Sequence, residues 1–227
     1  MKLKFILSAL LLVAVHGATA QDMIGNLLPQ LDNGVLERNR LDKKKNENVT
    51  GTPFVNDKFV PADIKGANGS MRVRYNTESD ELEISYEEST FVLPKKPEYD
   101  LITFKTGELL QLLNYRDVRN ADVYGYLYTI YQGNKTTLYL KHRSVIIPEK
   151  QPQNSYEAAT PPRYSRTDDE YYFTYKESIV AFPDSKKELV ALYPDKQKEI
   201  EEFLKTNKLK FKTEADLIKI ATFLDTL

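Results

Sequence analysis

The feature that most constrains the fold of this chain is a period-two alternation of apolar and polar residues from about residue 51 to about residue 182. Such alternation is typical of β-strands that bury one face. In the clearest pair of segments, the apolar positions are Met71, Val73 and Tyr75 before a polar turn and Leu82, Ile84 and Tyr86 after it. Arg72 and Arg74 alternate with the first set, and Glu81 and Glu83 with the second. Antiparallel pairing would therefore set opposite charges against each other on one face.

Further strands follow from the same spacing. A second long hairpin is predicted from residues 123–131, through a turn at 132–135, and back through 136–147, and Asn68-Gly69 marks another tight turn. Shorter strands are predicted at 90–93, 101–104, 171–175 and 178–182. Residues 148–170 hold four prolines without periodicity, which predicts a long loop. The expected fold is α+β, mainly antiparallel β, with a β-meander or curled sheet and a C-terminal helical appendage.

The last forty or so residues change to helical spacing. Asp184-Ser185 can cap a short helix, and Pro194 suits the first turn of a second one. Thr213 with Asp216 resembles a capping box. The apolar residues that follow fall at i, i+3, i+4 and i+7: Leu217, Ile220, Ala221 and Leu224. They predict one stripe that packs on the sheet or on the preceding helix.

The N-terminus has the pattern of a secretory signal peptide. Two lysines precede an apolar stretch at residues 5–15, and Ala18-Thr19-Ala20 offers a small-residue cleavage site before Gln21. The apolar stretch is too short and too interrupted to span a bilayer. The expected organisation is a signal peptide at 1–20, a flexible leader at 21–50, an antiparallel β domain at 51–182, and C-terminal helices packed on the sheet at 183–227. The expected location is periplasmic or extracellular, without a transmembrane span in the mature chain.

Composition excludes several classes of function. The chain has no cysteine, so it cannot form disulfides, carry a thiol nucleophile or be anchored as a lipoprotein. Removal of the signal peptide takes two of the 32 basic residues, and the remaining 30 against 33 acidic residues give a net charge of −3. Nucleic acid is therefore not an expected partner, because binding to phosphates draws on an excess of Lys and Arg.

Several segments together resemble a known group of proteins. They are residues 51–59, Arg74-Tyr75-Asn76 with Asp80-Glu81-Leu82-Glu83, Gly125-Tyr126-Leu127 with Leu138-Tyr139, and residues 208–212 before Asp216-Leu217-Ile218. The similarity covers about residues 51–227 and is to uncharacterised exported β-meander proteins of Gram-negative bacteria. It implies a β-meander with a helical tail and an envelope location, and it implies no activity and no site residues.

Most familiar catalytic arrangements lack parts in this sequence. After cleavage His142 is the only histidine, and no Gly-x-Ser-x-Gly motif accompanies it, so a solvated strand histidine is expected rather than a serine triad. Zinc normally requires clustered His and Cys, whereas one histidine without cysteine leaves only carboxylates as further ligands. Calcium could use Asp168-Asp169-Glu170 or Asp80-Glu81, but solvated turns are expected there because neither stretch has EF-hand spacing. No catalytic, cofactor-binding or metal-binding residue is predicted, and no cofactor is expected.

The tyrosines are the most suggestive feature for binding. Tyr124, Tyr126 and Tyr128 share one face of a predicted strand, and such rings can stack on a ligand or simply cover the sheet. The favoured hypothesis is a non-enzymatic binding or structural module that meets an envelope protein or another envelope component. A carrier of a lipid or other apolar ligand is the second hypothesis. A carboxylate-based hydrolase is the third.

Overall fold

The computed structural model describes residues 48–86, 89–152 and 158–227. Within these ranges the chain forms a ten-stranded antiparallel sheet, a separate two-stranded sheet and three α-helices near the C-terminus. The predicted α+β class is therefore confirmed. The signal peptide, its cleavage site at Ala20 and Gln21, and residues 21–47 of the predicted leader lie outside the described residues.

The strands of the first half are β1 Val60–Ile64, β2 Ser70–Asn76, β3 Glu81–Tyr86, β4 Ser89–Val92, β5 Leu101–Phe104 and β6 Leu109–Arg116. The strands of the second half are β7 Asp122–Gln132, β8 Thr137–Lys141, β9 Ser144–Ile147, β10 Arg163–Arg166, β11 Glu170–Tyr175 and β12 Ser178–Ala181. The order in the large sheet is β12-β11-β8-β7-β6-β5-β1-β2-β3-β4, and β9 pairs with β10. Two meanders are thus joined where the chain crosses back after β4 and β5 pairs with β1.

The predicted charged hairpin forms as expected. In the β2–β3 register, Arg74 lies opposite Glu83 and Tyr75 opposite Leu82. The Arg74 side chain donates twice to Oε2 of Glu83, from Nε at 2.8 Å and from a terminal nitrogen at 2.7 Å. Its guanidinium also lies 3.7 Å from the ring centre of Phe54 and 4.4 Å from that of Phe59. Cross-strand charge pairing and ring contacts together fix this face.

The strands depart from the prediction in three places, and the first is that the return strand predicted at 136–147 is divided into β8 and β9, which lie in different sheets. β6 was missed, and the segment predicted as a long loop contains β10, which pairs with β9 through Tyr164 and Ile146. Thr50, in the predicted leader, also bonds to this strand, because its carbonyl accepts a hydrogen bond from the Tyr164 amide at 2.9 Å. The loop prediction is wrong for residues 163–166, because all four prolines of the segment precede β10 and none lies within it.

The sheet is strongly curled. One core lies where the two meanders face each other, and it includes Val73, Tyr75, Leu82, Leu110, Tyr126 and Tyr128. A smaller core of Tyr115, Leu127, Tyr139 and Tyr172 lies on the opposite face, where β12 approaches β6. The strand β6 contributes to both cores, because Leu110 faces the first and Tyr115 the second.

The C-terminal helices are α1 Lys186–Leu192, α2 Gln197–Thr206 and α3 Glu214–Leu224. The two predicted side-chain caps are confirmed. The Ser185 side chain accepts a hydrogen bond from the Glu188 amide at the start of α1, and the Thr213 side chain accepts one from the Asp216 amide at the start of α3. All four predicted stripe residues of α3 are buried, and they pack with Leu138 and Phe173 of the sheet. Among the described residues, no helix combines the length and the apolar character that a bilayer crossing requires.

The end of α3 is joined to the β7–β8 turn. The Asp225 carboxylate accepts hydrogen bonds from the amides of Asn134, Lys135 and Thr136 at 3.0, 2.6 and 2.7 Å. These amide bonds lower the pKa of Asp225. A side chain at Gly133 would collide with the same carboxylate. The turn therefore needs glycine for close approach, and the helix end is positioned by main-chain donors.

Candidate functional site

The structure separates the three tyrosines that the sequence placed on one face. Tyr124 is 37% exposed, whereas Tyr126 and Tyr128 are 0% and 8% exposed. Tyr126 and Tyr128 both pack edge-to-face on Tyr75, with ring centres 5.9 Å apart in each pair. Two of the three rings therefore belong to the core. A role of Tyr124 in ligand or partner binding stays a prediction.

The most polar group in this core is a buried ionic centre formed by Asp80, Lys141, Lys95 and Tyr75. Oδ1 of Asp80 lies 2.5 Å from Nζ of Lys141, and Oδ2 lies 2.6 Å from Nζ of Lys95. The Tyr75 hydroxyl donates to Oδ1 of Asp80 at 2.6 Å. The Lys141 side chain is 1% exposed, so solvent does not reach the Asp80–Lys141 ion pair from the side of Lys141.

The ionic centre also supplies hydrogen bonds to β7 at a point where β7 does not pair with β8. The β7–β8 ladder reaches Tyr128 opposite Leu140 and does not extend to Tyr126. The Tyr126 amide instead donates to Asp80 at 3.3 Å, and its carbonyl accepts from Lys141 Nζ at 2.9 Å. An unpaired buried main-chain group is strongly destabilising. The side chains of Asp80 and Lys141 therefore satisfy β7 where β8 diverges from it.

Burial and charge act on the two partners in opposite directions. Burial raises the pKa of Asp80, but the ammonium groups of Lys141 and Lys95 outweigh burial, and the pKa lies below its usual value. For Lys141, burial is the larger effect and lowers the pKa to about 8, although Asp80 opposes it. Both groups are thus charged at pH 7.

The ionic centre is structural rather than catalytic. A lysine with a lowered pKa can act as a nucleophile. The three donors of the Lys141 ammonium, however, are occupied by Asp80, the Tyr75 hydroxyl and the Tyr126 carbonyl. With its three N–H groups used in this way and its side chain 1% exposed, the Lys141 ammonium is held as a structural cation. The expectation of a solvated turn at Asp80-Glu81 is wrong for Asp80, whose carboxylate enters the core between β7 and β8.

A second cluster of charges lies where β8 ends and β11 begins. His142 lies between β8 and β9, with Nδ1 2.6 Å from Asp169 and its ring 5.4 Å from that of Tyr128. Its side chain is 17% exposed, so the expectation of a solvated strand histidine is wrong. The β8–β9 bend and the Asp169 carboxylate hold the ring against the core instead.

A neighbouring ion pair, between Arg143 and Glu170, adjoins this cluster. Nε of Arg143 lies 2.8 Å from Oε1 of Glu170, and the Tyr172 hydroxyl donates to Oε2 of Glu170 at 2.6 Å. Asp168 and Asp169 are exposed, as expected of a solvated segment, whereas Glu170 is half-buried and pairs with Arg143. In the described part of the chain, no group of three or more His, Asp or Glu side chains is placed to hold a metal ion.

These charges border an open groove of about 1210 Å³, which we call the Arg143 groove. Its walls include Val118, Arg119, Arg143, Val145, Phe211 and Lys212. Val118 is 59% exposed and Val145 is 42% exposed, and both contribute apolar surface to the same groove. Exposed apolar surface rimmed by polar groups is typical of an interaction site.

Sequence reasoning did not identify the ionic centre or the groove. The sequence contains one local indication that Lys141 is unusual. This charged residue directly follows Leu138, Tyr139 and Leu140, which are apolar or aromatic residues of a predicted strand. Val118 and Val145 carry no such indication, because their place in one groove depends on how β6, β9 and α1 come together. Comparisons of the chain with protein-family models, with curated proteins and with solved structures find no match.

Proposed function

We propose that this chain is an exported cell-envelope protein that acts as a non-enzymatic binding module and meets a partner protein in the Arg143 groove. The observation that carries the proposal is the pair of exposed valines on the walls of that groove. Export and an envelope location are supported by the signal-peptide pattern and by the resemblance to exported β-meander proteins.

The size and chemistry of the groove favour a protein segment as its occupant. Small-molecule sites typically measure about 300–1,000 Å³ and are concave. The Arg143 groove is larger, at about 1210 Å³. Its lining combines apolar residues with charges of both signs, including Arg119, Asp168 and Lys212. An extended segment that carries an apolar side chain between charged ones would complement such walls.

The packing of the helices argues against a carrier that holds its ligand between helices and sheet. Leu217, Ile220 and Leu224 are 2%, 1% and 3% exposed and contact the sheet directly. Side chains of the chain itself thus occupy this interface. The hydrolase hypothesis gains no support from Asp80 or Glu170, which form ion pairs with Lys141 and Arg143, or from Asp169, which lies 2.6 Å from Nδ1 of His142.

Site-specific crosslinking in intact cells tests the partner proposal. Photoreactive p-benzoylphenylalanine replaces Val118 or Val145 in the groove, and Lys58 serves as an exposed control position outside it. We expect the same partner protein to be captured from both groove positions and not from Lys58. Val145→Asp, combined with the probe at Val118, should abolish that adduct while the thermal midpoint stays unchanged. Adducts at neither groove position, or the same adducts from Lys58, would contradict the proposal.

Export is tested separately by mass. If the signal peptide is cleaved as proposed, the chain recovered from the periplasm or the medium should begin at Gln21. A chain that retains residue 1, or that is found with the cytoplasmic fraction only, would contradict export. Either outcome would leave the crosslinking experiment interpretable, because crosslinking reports on contacts in any compartment.

A further inference from the structure

A second concavity lies near the C-terminal ends of α1 and α3, the two helices whose starts are capped. Two turns of the sheet approach the connection between α1 and α2 there. The concavity has a volume of about 390 Å³ and lies between the β7–β8 turn, the β11–β12 turn and residues 192–196. We call it the Tyr193 pocket. Its volume falls within the range of small-molecule sites, about 300–1,000 Å³.

The floor of the Tyr193 pocket is aromatic and apolar. The rings of Tyr175 and Tyr193 meet edge-to-face with centres 5.4 Å apart. The Tyr175 hydroxyl donates to the Leu192 carbonyl at 2.6 Å, which fixes the ring and joins the sheet to α1. Leu224 and Leu227 complete the floor from the side of α3. An apolar or planar body fits such a surface, because it can stack on rings that are already held in place.

The rim of the Tyr193 pocket is cationic. The charged side chains in the lining are Lys135, Lys176 and Lys196 with Asp195, three positive and one negative. Nζ of Lys196 lies 2.9 Å from Glu199, outside the pocket. Lys135 and Lys176 form no ion pair with another described residue, and Nζ of Lys176 lies 5.1 Å from the ring centre of Tyr175. The two unpaired ammonium groups thus stand beside an apolar floor.

We propose that the Tyr193 pocket binds a small amphipathic organic anion: a carboxylate, sulfonate or phosphate ester whose apolar or aromatic body lies on Tyr175 and Tyr193. The anionic group contacts Lys135 and Lys176. A hydrated inorganic anion leaves the rings uncovered, and a neutral apolar molecule leaves the lysines without a partner. The charge at the rim and the rings at the floor together therefore select the amphipathic anion.

Fluorescence titration of the full-length processed chain with 8-anilinonaphthalene-1-sulfonate tests the pocket. This probe joins a sulfonate to two aromatic systems, and N-phenyl-1-naphthylamine is its neutral analogue. We expect one saturable site for the sulfonate. The double variant Lys135→Gln/Lys176→Gln should weaken sulfonate binding by about fivefold or more, since two exposed charge contacts are lost, and should change binding of the neutral analogue less than twofold. The control Lys58→Gln/Lys187→Gln removes the same charge from exposed positions outside the pocket and should change neither affinity.

Two further measurements separate this site from general surface binding. Octanoate should displace the sulfonate probe, whereas inorganic sulfate at equal ionic strength should not. Tyr193→Ala should weaken both probes, because it removes the floor rather than the charge. Sulfonate binding that is unchanged in Lys135→Gln/Lys176→Gln, or that is equally weakened in the control pair, overturns the proposal. Displacement by inorganic sulfate as effective as that by octanoate overturns it as well.

Discussion

Nζ of Lys141 lies 2.5 Å from Oδ1 of Asp80, although 61 residues separate them in the chain. Asp80 ends the β2–β3 turn and Lys141 ends β8, so this contact joins the first meander to the second. The backbone of Asp80 is in the left-handed region, with φ at 57°, which aims its carboxylate at β7. The ion pair thus links the two halves of the curled sheet and also supplies partners to the Tyr126 backbone.

Lys141→Met should be strongly destabilising. The substitution leaves Asp80 buried with only Lys95 as a counter-ion, and it leaves the Tyr126 carbonyl without its donor. Removal of one partner from a buried pair costs about 3–5 kcal/mol in free energy of unfolding. Chemical denaturation followed by circular dichroism measures this loss. Lys65→Met is the matched control, because Lys65 pairs with Asp100 at 2.8 Å while its side chain is 55% exposed. If Lys141→Met and Lys65→Met lowered the free energy of unfolding by the same amount, the burial of Lys141 would make no contribution to the stability of the fold.

The pH dependence of stability should carry the signature of Lys141. Its pKa of about 8 in the folded chain lies below the ordinary lysine value of 10.5, so between these values the unfolded chain binds the extra proton. Stability from this group therefore rises as the pH increases from about 8 to 10.5, and it is lost as the pH falls back through about 8. Buried tyrosines act in the opposite sense above pH 10, since burial raises the pKa of Tyr126 and Tyr128 above the usual value. The difference between wild type and Lys141→Met, measured between pH 8 and 10, isolates the lysine. A difference that is flat or falls with pH contradicts this assignment.

The hydroxyls of two buried tyrosines, Tyr126 and Tyr172, should respond differently to removal. Among the described residues, the Tyr126 hydroxyl has no hydrogen-bond partner, whereas that of Tyr172 donates to Glu170. Tyr126→Phe should therefore leave the free energy of unfolding unchanged or raise it by up to about 1 kcal/mol. Tyr172→Phe should lower it by about 1.5–3 kcal/mol, because it removes a bond to a charged group. Denaturant midpoints of the two variants check this order, and a larger loss for Tyr126→Phe would reverse it.

The contrast between β2–β3 and β6 shows which strands the sequence reveals. One face of β2 and β3 is apolar and the other carries Arg74 and Glu83, so the alternation is visible. β6 lies between two cores, with Leu110 and Leu112 on one side and Tyr115 on the other. A strand that is buried on both faces loses its alternation and cannot be told from other apolar segments by period alone.

The ionic centre and the groove were not predictable for a related reason. Each combines residues that are distant in the chain, such as Asp80 with Lys141 and Val118 with Val145. Local patterns identify which residues form a turn or a strand, but they do not determine which turn enters which core. The helix caps at Ser185 and Thr213 were predicted correctly because both partners of each cap lie within three residues.

Ile220→Asp should release α3 from the sheet. Ile220 is 1% exposed and packs with Leu217 and Leu224 in the core between helices and sheet. The substitution removes a large apolar side chain and places a carboxylate without a cation among apolar neighbours, so the loss should exceed the 2–5 kcal/mol typical of truncation to alanine. Thermal unfolding and helix content by circular dichroism measure the result. Lys219→Asp places the same charge on the exposed side of the helix and should lower the midpoint far less. If both variants kept the wild-type helix content and midpoint, docking of α3 through Ile220 would be wrong.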